Sequence, residues 1–435
     1  MPLRRCTPAR RLRRAGALAA IAVLATAVLA TALLPASVSA ARAAAATNRL
    51  LLGTVGGGLG TSYARVEAFQ AAAGRTMATV RVYALWDDAF PGTLSDAVKA
   101  HRQTLVLSVK SRTSTGTVVP YRDIADAQPG SATYAQVQRW ARDVTAYGAP
   151  MMFSYNHEPD VWKSDGMGTA AEYVQAWRRI VTIFRKEGVR NAEYVFVGTS
   201  PHWGRTDFRA AAPFYPGDDF VDDIAADGYN FFDCSRSGLL PWTDPRTLFE
   251  PFRQFGLQHP SKGLMIVEFG SVEDRADPAR KPAWYRQLQQ MLTEPGYSQF
   301  RAVAQWYDRV PGGACDWRTD TSSATQQAFR QWGQDPSVAG VMAVPPSTVR
   351  LVRVTPGSNA AVVSWAPAGP GGAPVTSYQV SVGETGQRFR VDGAQGSYRW
   401  TRPTGPARTY TFSVSATSSA GSSRPAPADP VVVRP

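Results

Sequence analysis

Two glutamates lie just after short apolar runs, at positions where burying a charged side chain is unfavourable. The run Met151–Tyr155 leads into a segment that ends at Glu158, and the run Leu264–Val267 leads straight into Glu268. Burying an acid behind an apolar strand is costly unless the acid has partners or a task. A facing pair of carboxyl groups can cleave a glycosidic bond, because one protonates the leaving oxygen while the other attacks or stabilises the anomeric carbon.

Short apolar runs of this kind recur through the body of the chain, roughly 25 to 45 residues apart. We interpret eight of them as strands: Leu50–Val55, Ala78–Tyr83, Thr104–Val109, Met151–Tyr155, Glu193–Val197, Asp223–Asp227, Leu264–Val267 and Arg301–Trp306. Most are continuously apolar, which is typical of parallel strands buried on both faces. A doubly wound open sheet is the competing fold, but no Gly-rich phosphate loop with the required spacing follows the first strand.

The segments between the runs have helical spacing where they are clearest. Apolar residues fall on one face before the fourth strand (Tyr134, Val137, Ala141, Val144) and after it (Tyr173, Ala176, Trp177, Ile180, Val181, Phe184). Thr169 and Glu172 have the spacing of a capping box at the start of the second helix. Alternating strands and helices predict an α/β protein with a (β/α)8 barrel, whose reactive groups lie where strands end and loops begin.

The first forty residues read as a targeting segment. Arginines at the start precede an apolar stretch from Ala15 to Leu34, and small residues follow up to Ala40. A membrane anchor is the alternative, since the stretch is just long enough to span, but Pro35 and the small residues favour a cleaved signal peptide. We predict a signal peptide (1–40), an Ala-rich lead-in (41–48), a catalytic barrel (49–335) and a linker (336–347).

The net charge of +13 does not indicate nucleic-acid binding. Six arginines lie within the first fourteen residues, and the remaining excess is spread thinly without the basic runs and interleaved aromatics that track phosphates. Cys6 lies in the signal, so Cys234 and Cys315 remain as a possible disulfide pair in an oxidising compartment. No Cys/His cluster has metal-ligand spacing, and we expect no metal and no cofactor.

The last 90 or so residues are rich in Val, Ser, Thr and Pro and contain short strand-like segments. They are Arg350–Val354, Ala361–Trp365, Ser377–Val382, Arg388–Val391, Tyr398–Thr401 and Thr409–Ala416. This region, residues 348–435, resembles a fibronectin type III module, with Trp365 in the second strand, Tyr378 in the third and Tyr410 at the tyrosine-corner position. We therefore expect a small all-β sandwich after the barrel.

The barrel itself resembles glycoside hydrolase family 26. The resemblance rests on His157-Glu158, the helix from Ala171 to Ile180, Tyr215-Pro-Gly-Asp-Asp219 into Asp227-Gly-Tyr-Asn230, Val267-Glu-Phe-Gly270 and Trp306-Tyr-Asp308. It implies that Glu158 is the acid/base and Glu268 the nucleophile of a retaining double displacement. Retention requires the two carboxyl groups to lie about 5–5.5 Å apart. Glu158 must also be protonated at rest, its pKa raised by an apolar setting and by Glu268.

Further residues at strand ends are candidates for binding substrate. His157 would border the cleaved sugar, with Asn156 before it, and Trp306 would stack beneath the ring. Tyr229 is either a hydrogen-bond donor to Glu268 or a rim aromatic, and Arg81 is either a second donor or the partner of an internal acid. Trp162 and Trp203 either extend the cleft or pack in loops.

The resemblance implies an endo-acting β-1,4-mannanase, although Pro159-Asp160-Val161-Trp162 departs from the sequence usual in the family's mannanases after the acid. A β-glucanase or xylanase of the same mechanism is the first alternative. A non-catalytic carbohydrate-binding protein is the second. We expect a secreted, extracellular monomer that acts on polysaccharide, with no nucleic-acid partner and no membrane association after signal cleavage.

Overall fold

The computed structural model describes residues 50–55, 62–161, 166–234, 240–309, 315–339, 346, 348–368, 375–418 and 421–435. The signal peptide, the lead-in and most of the linker that the sequence predicts lie outside these ranges. Within them, no helix is both long enough and apolar enough to cross a membrane.

Eight parallel strands lie between Leu50 and Trp306. They are β1 (Leu50–Val55), β2 (Thr79–Ala84), β3 (Thr104–Val109), β4 (Met151–Tyr155), β5 (Ala192–Thr199), β6 (Asp223–Asn230), β7 (Gly263–Ser271) and β8 (Phe300–Trp306). Each strand pairs with the next along the chain, and β1 pairs with both β8 and β2. The sheet therefore closes into a barrel, and the predicted fold class is confirmed. A short strand, β9 (Val338–Ala339), pairs with β1.

Helices cross over between the strands. The α-helices are α1 (Ala64–Ala73), α2 (Thr93–Ala100), α3 (Tyr121–Ala125), α4 (Ala132–Tyr147), α5 (Ala170–Lys186), α6 (Pro245–Leu257), α7 (Arg280–Thr293) and α8 (Ser323–Gly333). Single 3₁₀ turns occupy Ser200–His202, Ala212–Phe214, Asp218–Phe220, Pro295–Tyr297 and Thr319–Thr321. The predicted capping box is present at the start of α5, where Thr169 and Glu172 satisfy each other's backbone amides.

Alternate residues of each strand enter two separate cores. The barrel interior is filled by one set, which is Leu51, Ala78, Val106, Met152, Val195, Val197, Ala225, Met265, Val267 and Ala302. The opposite faces of the strands pack against the helices in a much larger aromatic-rich layer. The inward set continues along each strand toward the carboxyl end, so its last members must surround the mouth of the barrel.

Strands β6 and β7 run further than the sequence predicts. The predicted strands stop at Asp227 and Val267, but pairing continues to Asn230 opposite Ser271. The prediction ends early because an acid in a buried strand is unfavourable without a partner. In the folded barrel a partner comes from β2, a strand that is distant in sequence.

The C-terminal region folds into antiparallel sheets. One contains β10 (Arg350–Gly357), β11 (Ala360–Ala366) and β14 (Ser397–Thr401), and another contains β12 (Val375–Val382), β13 (Arg388–Asp392), β16 (Phe412–Ser418), β17 (Gly421–Ser422) and β18 (Ala426–Pro427). A further pair joins β15 (Arg408–Tyr410) to β19 (Val431–Val433). This arrangement is consistent with the predicted fibronectin type III sandwich, and Trp365 and Tyr378 pack together in its core.

The predicted strand Thr409–Ala416 is wrong in one respect, because it is two strands. Tyr410 ends β15 and Phe412 begins β16, which pair with different partners. Thr411 lies between them, and the carboxylate of Glu384 accepts hydrogen bonds from its backbone amide and its hydroxyl. This long-range contact stabilises the interruption between the two strands. Strand propensity alone does not predict the contact, because Glu384 is distant in sequence.

Cys234 and Cys315 are joined by a disulfide bond in the structure, with 5.0 Å between their Cα atoms. They follow β6 and β8, which are not neighbours in the barrel, so the loops after these strands meet above β7. Around the bond lie Val272 and Trp317, with Tyr229, Phe232 and Trp306 packed alongside. The bond therefore holds an aromatic cluster against one side of the mouth.

We predict that protein lacking residues 1–40 contains no free thiol. Labelling with a maleimide in denaturant without reductant should modify no cysteine, and after reduction it should modify two. Because the bond closes a long loop, the double variant Cys234→Ser/Cys315→Ser should lose about 2–4 kcal/mol in free energy of unfolding. Two reactive thiols before reduction would show that the pair does not form.

Candidate active site

The end of β4 aims Glu158 by two unusual backbone conformations. Asn156 has φ +40° and Glu158 has φ +52°, both in the left-handed region that only a few per cent of non-glycine residues adopt. The backbone amide of Glu158 donates to the carbonyl of Val197 on β5 at 2.9 Å, which fixes the turn. Strain of this kind persists only where surrounding contacts hold it, and it concentrates at functional sites.

A β-bulge aims Glu268. In the pairing of β6 with β7, Ala226 is opposite Ile266 but Asp227 is opposite Glu268, so Val267 is the extra residue. Val267 belongs to the inner core, and the next residue, Glu268, also makes its contacts on the barrel's inner side. Two successive inward side chains require such a bulge, which is a common device for re-aiming a residue next to an active site.

Three donors hold the carboxylate of Glu268. The guanidinium of Arg81 lies 2.8 Å from Oε1, the hydroxyl of Tyr83 donates to the same oxygen, and the hydroxyl of Tyr229 donates to Oε2. Burial raises the pKa of both tyrosines, so they remain protonated donors. Glu268 is only 5% exposed, and its charge is compensated on both oxygens.

Arg81 performs both roles that the sequence left open. Its Nη1 lies 3.0 Å and 3.2 Å from the two carboxylate oxygens of Asp227, and its Nε donates to the Ser108 hydroxyl at 3.0 Å. Burial acts to lower the pKa of Arg81, but the carboxylates of Asp227 and Glu268 raise it, so the side chain stays charged. Beneath the mouth, one buried cation therefore joins two acids from β6 and β7.

Glu158 lies in a different environment. Burial raises its pKa to about 8, with the charges of Glu268 and Asp160 acting in the same direction. The hydroxyl of Thr199, at the end of β5, donates to Oε1 at 3.3 Å and partly opposes this rise. The negative charge of Glu268 contributes to this rise, so the two carboxyl groups interact electrostatically. One is held as an anion and the other keeps its proton at neutral pH, which is the division of roles that acid–base catalysis requires.

Asp160, two residues after Glu158, ties this loop to the next one. It is 1% exposed, and its carboxylate lies 2.6 Å from Nδ1 of His202 and accepts from the backbone amide of Thr199 at 3.3 Å. These contacts link the loop after β4 to the 3₁₀ turn after β5. Asp160 thereby fixes the position of Thr199 against Glu158.

The side chain of His157, next to Glu158 in the chain, is buried. Its ring centroid lies 5.1 Å from that of Tyr83. Burial and the positive charges of Arg81 and Lys110 hold the pKa of His157 well below its usual range, so the imidazole is neutral. Its Nδ1 has no hydrogen-bond partner among the described residues. This buried nitrogen therefore has hydrogen-bonding capacity that the described residues do not use.

Aromatic rings form a wall at the mouth beside the ends of β6 and β8. Trp306 at the end of β8 lies edge-on to Tyr229, with 6.2 Å between centroids, and 6.3 Å from Tyr83. The rings of Trp317 and Tyr229 pack with 4.3 Å between their centroids. Trp317 also lies close to β7, since a Cβ atom added to Gly270 would be only 2.6 Å from the Cβ of Trp317. The indole nitrogens of both tryptophans are buried without partners among the described residues. This wall is apolar in its faces and can donate at its edges.

Two residues predicted to bind substrate face elsewhere. The ring of Trp203 packs on Phe255 and Phe252 of α6, in the layer outside the barrel, because Gly198 and Phe196 next to it face outward. Loop packing, the alternative that the sequence left open, is what the structure has.

Asn156 also points away from the mouth. Its side chain accepts from the backbone amide of Ser111 at 3.1 Å and donates to the hydroxyl of Tyr121 at 2.7 Å, so its amide positions the loop. The positive φ of Asn156 accompanies this direction of the side chain, which does not support the predicted contact with substrate. Trp162 lies outside the described residues.

Several residues at the mouth were not found from sequence. Tyr83 follows Arg81 by two positions, Lys110 follows Ser108, and Thr199 follows Val197, all on inward faces of their strands. A period-two count along the predicted strands, extended by two residues after β3 and β5, would have found them. Among the described residues, the Nζ of Lys110 has no hydrogen bond or ion pair, and it lies 5.9 Å from the centre of the Tyr83 ring. The same count includes Asp227, which follows the inward Ala225 by two positions, whereas Trp317 lies in a loop and carries no such signal.

The arrangement provides one protonated and one ionised carboxyl group, a neutral histidine and an aromatic wall. Among the described residues no group of three His, Cys, Asp or Glu side chains is placed to hold a metal ion. The chemistry available to these residues is proton transfer and nucleophilic attack by a carboxylate.

Comparison with known proteins agrees with the barrel and the C-terminal sandwich. Residues 112–240 match the model of glycosyl hydrolase family 26, and residues 344–433 match that of the fibronectin type III domain. A curated relative, endoglucanase H of Acetivibrio thermocellus, is 27% identical over 287 residues, which are 64% of this chain. The matched region spans 30% of the relative's length.

Two mannanases are among the solved structures that the comparison found. An endo-β-1,4-mannanase double mutant from Cellulomonas fimi is 18% identical with a TM-score of 0.48, and the match covers 88% of this chain and 94% of that one. The catalytic domain of a family 26 endo-β-1,4-mannanase from Bacillus sp. JAMB-750 is 18% identical with a TM-score of 0.49, covering 68% and 88%. The resemblance predicted from the sequence is confirmed: residues 112–240, within the barrel, match glycosyl hydrolase family 26, and residues 344–433 match the fibronectin type III domain.

Proposed function

We propose that the protein is a secreted, monomeric retaining glycoside hydrolase that cleaves a β-linked polysaccharide internally, with Glu158 as general acid/base and Glu268 as nucleophile. The observation that carries this proposal is the contrast between the two carboxyl groups. Three donors hold Glu268 as an anion, whereas burial and nearby acids keep Glu158 protonated up to about pH 8. The family match supports the role of Glu158, which lies inside residues 112–240. Glu268 lies beyond that segment, so its role rests on the contacts.

In this mechanism Glu158 donates its proton to the leaving glycosidic oxygen while Glu268 attacks the anomeric carbon. A covalent glycosyl-enzyme results, and Glu158 then acts as base toward the water that hydrolyses it. Arg81 and Tyr83 hold one oxygen of Glu268 and Tyr229 holds the other, so they position the nucleophile. As the nucleophile loses its negative charge on forming the ester, Asp227 remains to balance Arg81.

The substrate we propose first is β-1,4-mannan, and the second is a β-1,4- or mixed-linkage β-glucan. Mannan follows from the family resemblance, whereas the altered residues after the acid, Pro159 to Trp162, leave that specificity open. The β-glucan alternative is supported by the endoglucanase relative, and xylan is compatible with the same mechanism. A non-catalytic binding protein is disfavoured, because keeping two buried acids at the mouth is costly without a catalytic use.

Reducing-sugar release from glucomannan, galactomannan, lichenan and xylan tests the proposal directly. We expect activity on at least one polymer and a loss of about 10⁴-fold or more in Glu268→Ala. The matched control is Glu294→Ala, which removes a glutamate that pairs with Arg246 on the barrel surface. Undiminished activity in Glu268→Ala would eliminate it as the nucleophile, and the absence of release from all four polymers would contradict the substrate class.

The pH dependence of kcat/KM should have a descending limb near pH 8. A general acid with a raised pKa is protonated below that value and loses its proton as the pH rises through it, so activity falls above about pH 8. Thr199→Val removes the hydroxyl that lowers this pKa, and the limb should move to higher pH. Thr182→Val, which alters a hydroxyl bonded only within α5, should leave the limb in place. A limb unmoved in Thr199→Val would argue against Glu158 as the acid.

Tyr83→Phe should lower kcat more than it raises KM. Loss of one hydrogen bond to a buried carboxylate costs about 1.5–3 kcal/mol, or roughly 10- to 100-fold in rate, if that bond positions the nucleophile. The control Tyr307→Phe removes a hydroxyl bonded to Asp320 away from Glu268. If Tyr83 merely contributed to packing, Tyr83→Phe would keep wild-type kcat.

A further inference from the structure

Beyond residue 49, the net positive charge of the protein lies in the C-terminal module. Residues 344–435 contain nine arginines, no lysine and three acidic residues, whereas residues 50–343 contain 30 basic and 31 acidic residues. The expectation that the excess outside the signal is spread thinly is therefore wrong. The barrel is close to neutral, and the sandwich has a net charge of +6.

Three of these arginines project from one face of one sheet. Arg353 is opposite Ser364 and Arg399 is opposite Val362, on either side of the central strand β11. Directly opposite residues share a face, and Ser364 and Val362 alternate with the core residues Val363 and Trp365. The shared face therefore points away from the core.

A bulge adds Arg350 to the same face. Arg350 is opposite Ala366, and the register shifts between Arg350 and Arg353, so both face outward although they differ by an odd number of positions. Leu351, which lies within this bulge at φ +51°, is 72% exposed. We call Arg350, Arg353 and Arg399 the arginine face.

The arginine face has no internal counter-charge. Among the described residues none of its three guanidiniums has a hydrogen bond or ion pair, and all three side chains are exposed. The remaining positions on the face are apolar or hydroxyl-bearing, and they include Thr355, Ser364, Ser397 and Thr401. Two other arginines of the module are engaged: Arg402 donates to carbonyls of its own turn, and Arg424 pairs with Asp222 of the barrel.

The opposite sheet provides a comparison within the same module. Its outward face carries Arg388 and Arg390, but Asp392 on the same strand faces the same way, as the alternation along β13 and its pairing with β12 require. Of these two faces, as far as the described residues show, it is the arginine face that combines several unpaired cations with no acid. Like charges held close together without compensation are unfavourable unless an anion binds between them.

We propose that the arginine face binds an extended anionic polysaccharide whose sugars carry carboxylates. The face is a flat three-stranded surface, which suits a polymer better than a small molecule. By strand spacing alone, Arg353 and Arg399 lie about 10 Å apart across β11, so they contact separate anionic groups. Guanidinium groups bind carboxylates through two parallel hydrogen bonds. Exposed Leu351 and the hydroxyls supply contacts for sugar rings, and the module would hold the enzyme on uronate-rich material.

Binding of the full-length protein, without residues 1–40, to polygalacturonate tests this proposal independently of catalysis. We expect salt-sensitive binding that Arg350→Ser/Arg353→Ser/Arg399→Ser weakens about tenfold or more, because three exposed charge contacts are lost together. The matched control is Arg388→Ser/Arg390→Ser/Arg408→Ser, which removes the same charge from other faces and should retain most of the affinity. Activity on the neutral glycan substrate should be unchanged in both variants, which shows that the barrel is intact, and the retained affinity of the control shows that the module tolerates three such substitutions.

The ligand controls are fully methyl-esterified polygalacturonate and inorganic polyphosphate. The ester lacks the charge and should not bind. Absence of binding to polygalacturonate, equal loss in both triple variants, or tighter binding to polyphosphate than to the uronate polymer would each overturn the proposal. Because none of these outcomes depends on glycan cleavage, they are separable from a failure of the proposed catalytic function.

Discussion

The candidate site depends on one buried cation. Arg81 is 1% exposed and contacts the carboxylates of both Asp227 and Glu268. Three charged groups inside a barrel are stable only as a set, since removing one partner leaves an uncompensated buried charge. The same contact explains why β6 and β7 continue past their acids. It also places a fixed positive charge below the mouth, where it favours the anionic form of Glu268.

Around this cation, local backbone irregularities set the direction of the two glutamates. The bulge at Val267 turns Glu268 inward, and the positive φ angles at Asn156 and Glu158 redirect the chain after β4. Both features depart from regular strand geometry, and contacts with neighbouring strands hold both of them in place. Regular strand geometry would have sent at least one of the carboxyl groups into the helical layer.

The side of the mouth opposite Glu158 is held differently, through loops. The disulfide between Cys234 and Cys315 draws the loops after β6 and β8 together, and Trp317 then packs on Tyr229. Tyr229 in turn donates to Glu268. A covalent link outside the barrel is thus connected to the proposed nucleophile through the contact between two aromatic rings, those of Trp317 and Tyr229.

The sequence by itself determined the barrel, the sandwich and the two glutamates that follow apolar runs, because the apolar period and its interruption by an acid are local properties. Three strands match their predicted bounds, namely β1, β3 and β4. What only the tertiary structure decided is which side chains meet. The joining of Arg81 to Asp227 and the packing of Trp317 on Tyr229 bring together residues far apart in the chain. The outward turn of Asn156 and the burial of Trp203 depend on backbone angles and neighbouring helices, which residue type does not encode.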